Sequence, residues 1–349
     1  MFNTPVMPPP APTVPDLQPA LSTGPIIGQQ AARFQWVENW VRLPGTDSAR
    51  ANGRTHGVVI SEQGYAIVFN QSNPAILVYD QTGALLDAWG DRFPGAHGLT
   101  LVKEGDAEYL WLTDSSTGEV VKTTLDGQPI MSIQRPTLRL YRQGAKYAPT
   151  WVAVHEESKG GNGDIWVTDG YGSNYIHAYD KAGNYLDSIN GSEGGAGPFK
   201  CPHGIFIDYR KDEPELYIAD RGNRRVQVYD IEGNFKRVFG AELLTSPCGF
   251  ATSGELLLIP ELRARIAILD SQDHLVCYLG ENEAVCDVPG WPNHPAQLIQ
   301  PGKFNSPHGI TADAAGNLYI VEWIIGGRMN TPGGGARSPG GVGKSHGGR

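Results

Sequence analysis

One short motif recurs along this chain at nearly constant spacing. Cys201-Pro202-His203-Gly204-Ile205 and Ser306-Pro307-His308-Gly309-Ile310 are close copies, and Ala96-His97-Gly98-Leu99 is a looser one. The histidines lie 106 residues apart (97 to 203) and 105 residues apart (203 to 308). Thr55-His56-Gly57-Val58 precedes them. Thr150-Trp151-Val152 and Pro247-Cys248-Gly249-Phe250 interleave, with another residue where histidine would stand. The chain therefore divides into six units with a step of about 50 residues, the range in which repeats mean propellers or solenoids.

Within each unit, short runs alternate apolar and polar residues between turn residues, the strand signal. Unit four is the clearest, with Leu216-Tyr217-Ile218-Ala219-Asp220, then Val226-Gln227-Val228-Tyr229, closing at Asp230 and Gly233. The 45 glycines and 26 prolines fit many short strands and turns rather than helices. A small sheet cannot cover both its faces alone, so units stacked around an axis complete one another's cores. The expected fold is all-β, a six-bladed β-propeller over residues 33–326. It is flanked by a disordered proline-rich leader at 1–32 and a disordered glycine-rich tail at 327–349. Unit six shows no outermost strand, whereas Phe34 to Leu43 has strand composition before unit one. That segment is expected to close the last blade and so cover two exposed edges.

The formal charge of -9 argues against nucleic acid as a partner. No apolar run approaches the roughly 18 residues a membrane span needs. The N-terminus shows neither the basic nor the apolar part of a secretion signal, so a cytoplasmic, monomeric protein is expected. Four irregularly spaced cysteines are too few for a disulfide framework; free thiols are expected, with a Cys277–Cys286 pair as the alternative in a secreted protein.

In a propeller, the strand following each His-Gly is innermost. Units two, four and six are then about 120° apart, and His97, His203 and His308 converge on the axis. Three imidazoles with one open position form the ligand set of catalytic zinc, and imidazole also suits other divalent late first-row metals. The competing reading is a blade-opening turn in which each histidine caps nearby backbone. His56 breaks the three-fold pattern, as a substrate contact, a fourth ligand or a turn residue. Asp114, Asp169, Asp220, Glu261 and Glu322 recur at one position of units two to six, which points to turn hydrogen bonding rather than catalysis. Arg221 follows one of them, at the channel mouth or in an inter-blade ion pair.

The string Ala219-Asp220-Arg221-Gly222-Asn223-Arg224-Arg225-Val226-Gln227-Val228-Tyr229 resembles an NHL repeat. The span from about Phe34 to Glu322 resembles peptidyl-α-hydroxyglycine α-amidating lyase. The resemblance implies zinc held by His97, His203 and His308, and cleavage of an N–C bond to a peptide amide and glyoxylate. It implies Tyr171, in Thr168-Asp169-Gly170-Tyr171, as the catalytic base, with a pKa lowered near the metal. Arg221, in the Ala-Asp-Arg string, is its catalytic partner. Several positions depart from the pattern. Gln71 stands where the family's substrate-binding arginine would be, replacing a charged fork by a neutral amide. Ser306 replaces a methionine. Gly309 replaces an aspartate of a structural calcium site whose carbonyls would come from Val58 and Leu99, so calcium is not expected. Gly172 replaces a cysteine, removing that family's disulfide. The expected substrate-binding residues are Gln71, His56 and Ser306, facing a small-molecule or peptide substrate in the central channel. Because Gln71 replaces arginine, the expectation is either that cleavage or action on a related α-hydroxylated amide. The alternatives are a non-catalytic propeller that binds a protein or peptide, and a calcium-dependent lactonase or hydrolase.

Overall fold

In a computed structural model describing residues 22–29, 32–38, 40–41, 43–295 and 298–330, each repeat unit becomes one antiparallel sheet. Blade one holds β3 (Thr55–Ile60), β4 (Ala66–Asn70), β5 (Ile76–Tyr79) and β6 (Leu85–Trp89). Blade two holds β7 (Ala96–Glu104), β8 (Ala107–Asp114), β9 (Glu119–Thr124) and β10 (Pro129–Ile133). Blade three holds β11 (Trp151–Val154), β12 (Ile165–Thr168), β13 (Ile176–Tyr179) and β14 (Tyr185–Ile189). Blade four holds β15 (Pro202–Asp208), β16 (Glu215–Asp220), β17 (Arg225–Tyr229) and β18 (Phe235–Phe239). Blade five holds β19 (Ala251–Ser253), β20 (Leu256–Glu261), β21 (Arg265–Leu269) and β22 (Leu275–Leu279). Blade six has three described strands, β23 (Pro307–Ala312), β24 (Leu318–Glu322) and β25 (Arg328–Asn330).

Burial follows the layering. The middle strands β4, β5, β12, β13, β16 and β21 are buried along nearly their whole length, whereas β6 and β14 are largely exposed. This explains why the middle strands read as continuous apolar runs: both their faces meet a neighbouring blade. The cores lie between blades. Val59, Ile67, Phe69, Leu99, Leu110 and Val121, for example, join blades one and two. The ring closes between its last and first blades, where Val321 and Met329 pack with Val58, Val68 and Leu77. Thr55 Oγ1 also donates to the Glu322 carbonyl at 2.7 Å there.

Two expected boundaries are corrected. Within the expected leader, Ser22–Gln29 (β1) pairs antiparallel with Ala32–Glu38 (β2). Ile27, Phe34 and Trp36 of this hairpin pack with Phe304, Ile310 and Leu279, which supplies the burial that the proline-rich composition hides. Within the expected tail, Arg328–Asn330 forms β25, fixed by an Arg328–Glu322 ion pair of 3.1 Å and by buried Met329. The N-terminal strand packs beside the last blades, yet among the described residues its ladder partner is β1, and the third strand of blade six is β25. The remainder of the expected leader, 1–21, and of the expected tail, 331–349, lies outside the described residues. All four cysteines are free, and no helix among the described residues is long and apolar enough to cross a membrane.

Candidate metal centre

The recurrent acids set the loops that carry the histidines. Asp114 Oδ2 accepts from Gly95 N at 2.9 Å, Asp220 Oδ1 from Lys200 N at 2.7 Å, and Glu322 Oε2 from Asn305 N at 2.6 Å and Ser306 N at 2.8 Å. Asp169 and Glu261 do the same for Ala148, Thr245 and Ser246. Each acid thus pins the backbone shortly before an inner strand begins, the turn role the recurrence predicts.

The glycine after each histidine has an equally specific cause. A Cβ on Gly98, Gly204 or Gly309 would stand 2.4 Å from the Thr150 carbonyl oxygen, 2.5 Å from that of Cys248 and 2.4 Å from that of His56, respectively. Those same three carbonyls accept the imidazoles. His97 Nδ1 meets Thr150 O at 2.8 Å, His203 Nδ1 meets Cys248 O at 2.6 Å, and His308 Nδ1 meets His56 O at 2.9 Å. A carbonyl only accepts, so in each ring Nδ1 carries the proton and Nε2 keeps its lone pair. His-Gly is therefore one device. The missing side chain admits the neighbouring blade's carbonyl, and the carbonyl fixes the tautomer.

The rings converge. Centroids are 4.7 Å apart for His97–His203, 4.8 Å for His203–His308 and 5.0 Å for His97–His308, and His56 stands 4.5 Å from His308 and 4.8 Å from His97. All four are at most 2% exposed. Burial holds their pKa values well below the ordinary range, aided for His56 and His97 by neighbouring imidazoles and for His203 by Arg221; His308 is lowered to about 3. The rings are neutral at pH 7.

Lone pairs outnumber protons here. The Tyr171 hydroxyl lies 3.1 Å from Nε2 of both His97 and His203 and has one proton to give. His308 Nε2 and His56 Nδ1 are buried without a partner. Two Nε2 lone pairs sharing one hydroxyl proton beside a third with no partner is a costly arrangement for buried polar atoms, and a cation removes the deficit. Two trios of donor atoms lie mutually within 4.8 Å, His56–His97–His308 and His203–Cys248–His308. The donor set and its backbone-fixed tautomers fit a zinc ion.

Tyr171 is half-buried and receives Arg221 Nη2 at 3.2 Å; the same nitrogen reaches Cys201 Sγ at 3.2 Å. Burial raises the phenol's pKa, and the guanidinium pulls it down, with the rise the larger effect. The lowered value expected from sequence is thus not supplied by the protein surroundings alone. Trp151 stands 6.4 to 6.5 Å from three of the imidazoles, nearly parallel to His308. Ser306 is buried with its hydroxyl unpartnered, and Gln71 is half-buried.

Residues 158–262 match a domain family, DUF5128, described as a 6-bladed beta-propeller. The chain is 28% identical to a probable peptidyl-alpha-hydroxyglycine alpha-amidating lyase of Caenorhabditis elegans, over 51% of this chain and 55% of that one. The match thus spans about half the length of that relative. It is 25% identical to NHL repeat-containing protein 3 of Homo sapiens, over 82% of this chain and 79% of that one. Among solved structures, a gluconolactonase from Xanthomonas campestris superposes with a TM-score of 0.62 at 13% identity, over 91% of this chain and 99% of that one, which speaks for the fold. This chain is a six-bladed propeller with homology to amidating lyases and NHL-repeat proteins.

Within this propeller, His97, His203, His308, His56, Tyr171 and Arg221 come together. Gln71 and Ser306 are instead tied through their backbone amides, to the Arg54 carbonyl and the Glu322 carboxylate. No repeated sequence string marks Arg54. Its carbonyl accepts Gln71 N at 2.9 Å, its guanidinium lies 5.0 Å from the Trp323 ring, and its Nε is buried without a partner. Cys248 was visible only as a histidine position filled by another residue.

Proposed function

We propose that this propeller is a metal-dependent lyase of the peptidyl-α-hydroxyglycine type, with His97, His203 and His308 as the metal ligands. The observation that carries this reading is the set of three buried imidazoles with ring centroids 4.7 to 5.0 Å apart, whose Nδ1 protons are committed to backbone carbonyls, leaving the Nε2 lone pairs free for a metal. A zinc ion bound there supplies a Lewis acid that polarises a substrate hydroxyl. The protein supplies the rest. Tyr171 is placed to take the hydroxyl proton, and Arg221, donating to the phenol oxygen, favours its anionic form. As the hydroxyl carbon becomes an aldehyde, its C–N bond breaks and the nitrogen is protonated, giving an amide and glyoxylate. Neither Arg221 nor Arg54 has a carboxylate partner among the described residues. Arg54 places a guanidinium at the Gln71 corner, suited to the substrate carboxylate. Homology to amidating lyases at 25–28% identity supports the reaction class.

The test is glyoxylate release from a peptidyl-α-hydroxyglycine by the zinc-loaded protein. Release that Tyr171→Phe abolishes supports the reading; no release from fully metallated protein refutes it and favours the binding scaffold.

A further inference from the structure

We infer that Cys248 is a fourth protein donor to the metal, making the centre one of three nitrogens and one sulfur. This rests on the reading of the histidine cluster as a metal site, and it concerns a residue that the three-histidine reading leaves idle.

Cys248 occupies in unit five the position that His97, His203 and His308 occupy in units two, four and six, at the start of the innermost segment. Blade five stands between blades four and six, so the thiol enters the ring between His203 and His308. Its Sγ and a ring nitrogen of each of those histidines lie within 4.8 Å of one another. The residue is fully buried, and its thiol makes a long contact, 3.5 Å, to the Ser246 carbonyl. Beside it, His308 Nε2 is buried without a partner. The segment is also fixed: the Cys248 carbonyl takes the His203 Nδ1 proton at 2.6 Å, and its amide donates to the Pro260 carbonyl at 2.8 Å. A buried thiol, the buried orphan nitrogen of His308 and a second imidazole, His203, within 4.8 Å of one another make a mixed site suited to zinc. On binding, the thiol loses its proton to solvent. The Arg221 guanidinium lies beside both Cys248 and Cys201 and offsets the thiolate charge. With three imidazoles and a thiolate bound, the substrate hydroxyl would reach the metal as a fifth ligand, and the sulfur ligand and the lyase reaction are tested by separate measurements.

X-ray absorption at the zinc edge decides. The zinc-loaded wild-type protein is expected to show one sulfur neighbour at about 2.3 Å beside nitrogens at about 2.0–2.1 Å. The sulfur shell is expected to vanish in C248S and persist in C201S. Nitrogen and oxygen neighbours alone in the wild type would overturn the inference. A sulfur shell that survives C248S would overturn it too, in favour of Cys201. A wild-type protein that retains no zinc would refute the metal reading itself. Because the wild-type spectrum by itself shows whether sulfur is bound, a poorly folding C248S cannot leave the question open.

Discussion

Gly204→Ala tests the link between the motif and the centre. Its Cβ would sit 2.5 Å from the Cys248 carbonyl oxygen and 2.6 Å from Gly249 Cα, where ordinary contact begins at 3.4 Å. The backbone must therefore give by about 0.9 Å (3.4 minus 2.5), in a core that resists such overpacking by about 1–3 kcal/mol. The displaced carbonyl is the one His203 Nδ1 donates to at 2.6 Å. A shift of that size breaks the bond, at a further ~0.5–1.5 kcal/mol. The sum, about 1.5–4.5 kcal/mol, lowers Tm by roughly 3–9 °C at ~2 °C per kcal/mol. With the ring no longer held, zinc affinity falls by about 10–100-fold, the usual effect of losing a ligand's outer hydrogen bond. Thermal unfolding and chelator competition measure the two effects. Gly249→Ala is the control, because its Cβ would meet nothing closer than 3.6 Å. If Gly204→Ala keeps both wild-type Tm and wild-type zinc affinity, the carbonyl clamp does not set the ring.

Other outcomes follow from the same geometry. Arg54→Met is expected to lower kcat/KM for a carboxylate-bearing substrate by about 10–100-fold, the loss of a charge-assisted hydrogen bond of ~1.5–3 kcal/mol. Unchanged kinetics would place the substrate carboxylate elsewhere. Tyr171→Phe should abolish glyoxylate release while leaving the zinc content intact; loss of the metal instead would make the hydroxyl part of the metal site. Metal-free protein should be acid-labile. Its buried histidines, with His177 and His308 lowered to about 3, have folded pKa values below the unfolded value of about 6.5. The unfolded chain thus binds more protons between those limits, and stability is full above pH ~6.5. It then declines as pH falls toward 3, by up to about 1.4 kcal/mol per pH unit per histidine. Urea unfolding at pH ~7.5 and ~5.5 checks this, and equal stabilities would contradict it.

The six-unit ring was legible because its inner strands announce themselves by composition: Pro-His-Gly-Ile recurs where blades begin, and the acids that pin those loops recur with it. The alternation of histidine units likewise foretold that His97, His203 and His308 meet. What the sequence could not convey is which carbonyl approaches which ring, since Thr150, Cys248 and His56 are brought to the motif by a neighbouring blade. Cys248 and Trp151 could be placed at the histidine position, but their proximity to the rings depends on the stacking of the blades. Arg54 escaped notice because it precedes β3 outside any repeated string. The terminal strands β1 and β25 were hidden by proline- and glycine-rich neighbours. Their burial comes from Phe304 and Leu279 in one case and Val321 in the other, contacts distant in sequence or masked by the local composition.

The central claim is a metal held by three alternate histidines, and elemental analysis of zinc-saturated, extensively dialysed protein tests it most directly. The account predicts about one zinc per chain in the wild type and none retained after His203→Ala or His308→Ala in protein that remains folded. A wild-type chain that retains no metal, or variants that hold as much as the wild type, would contradict it.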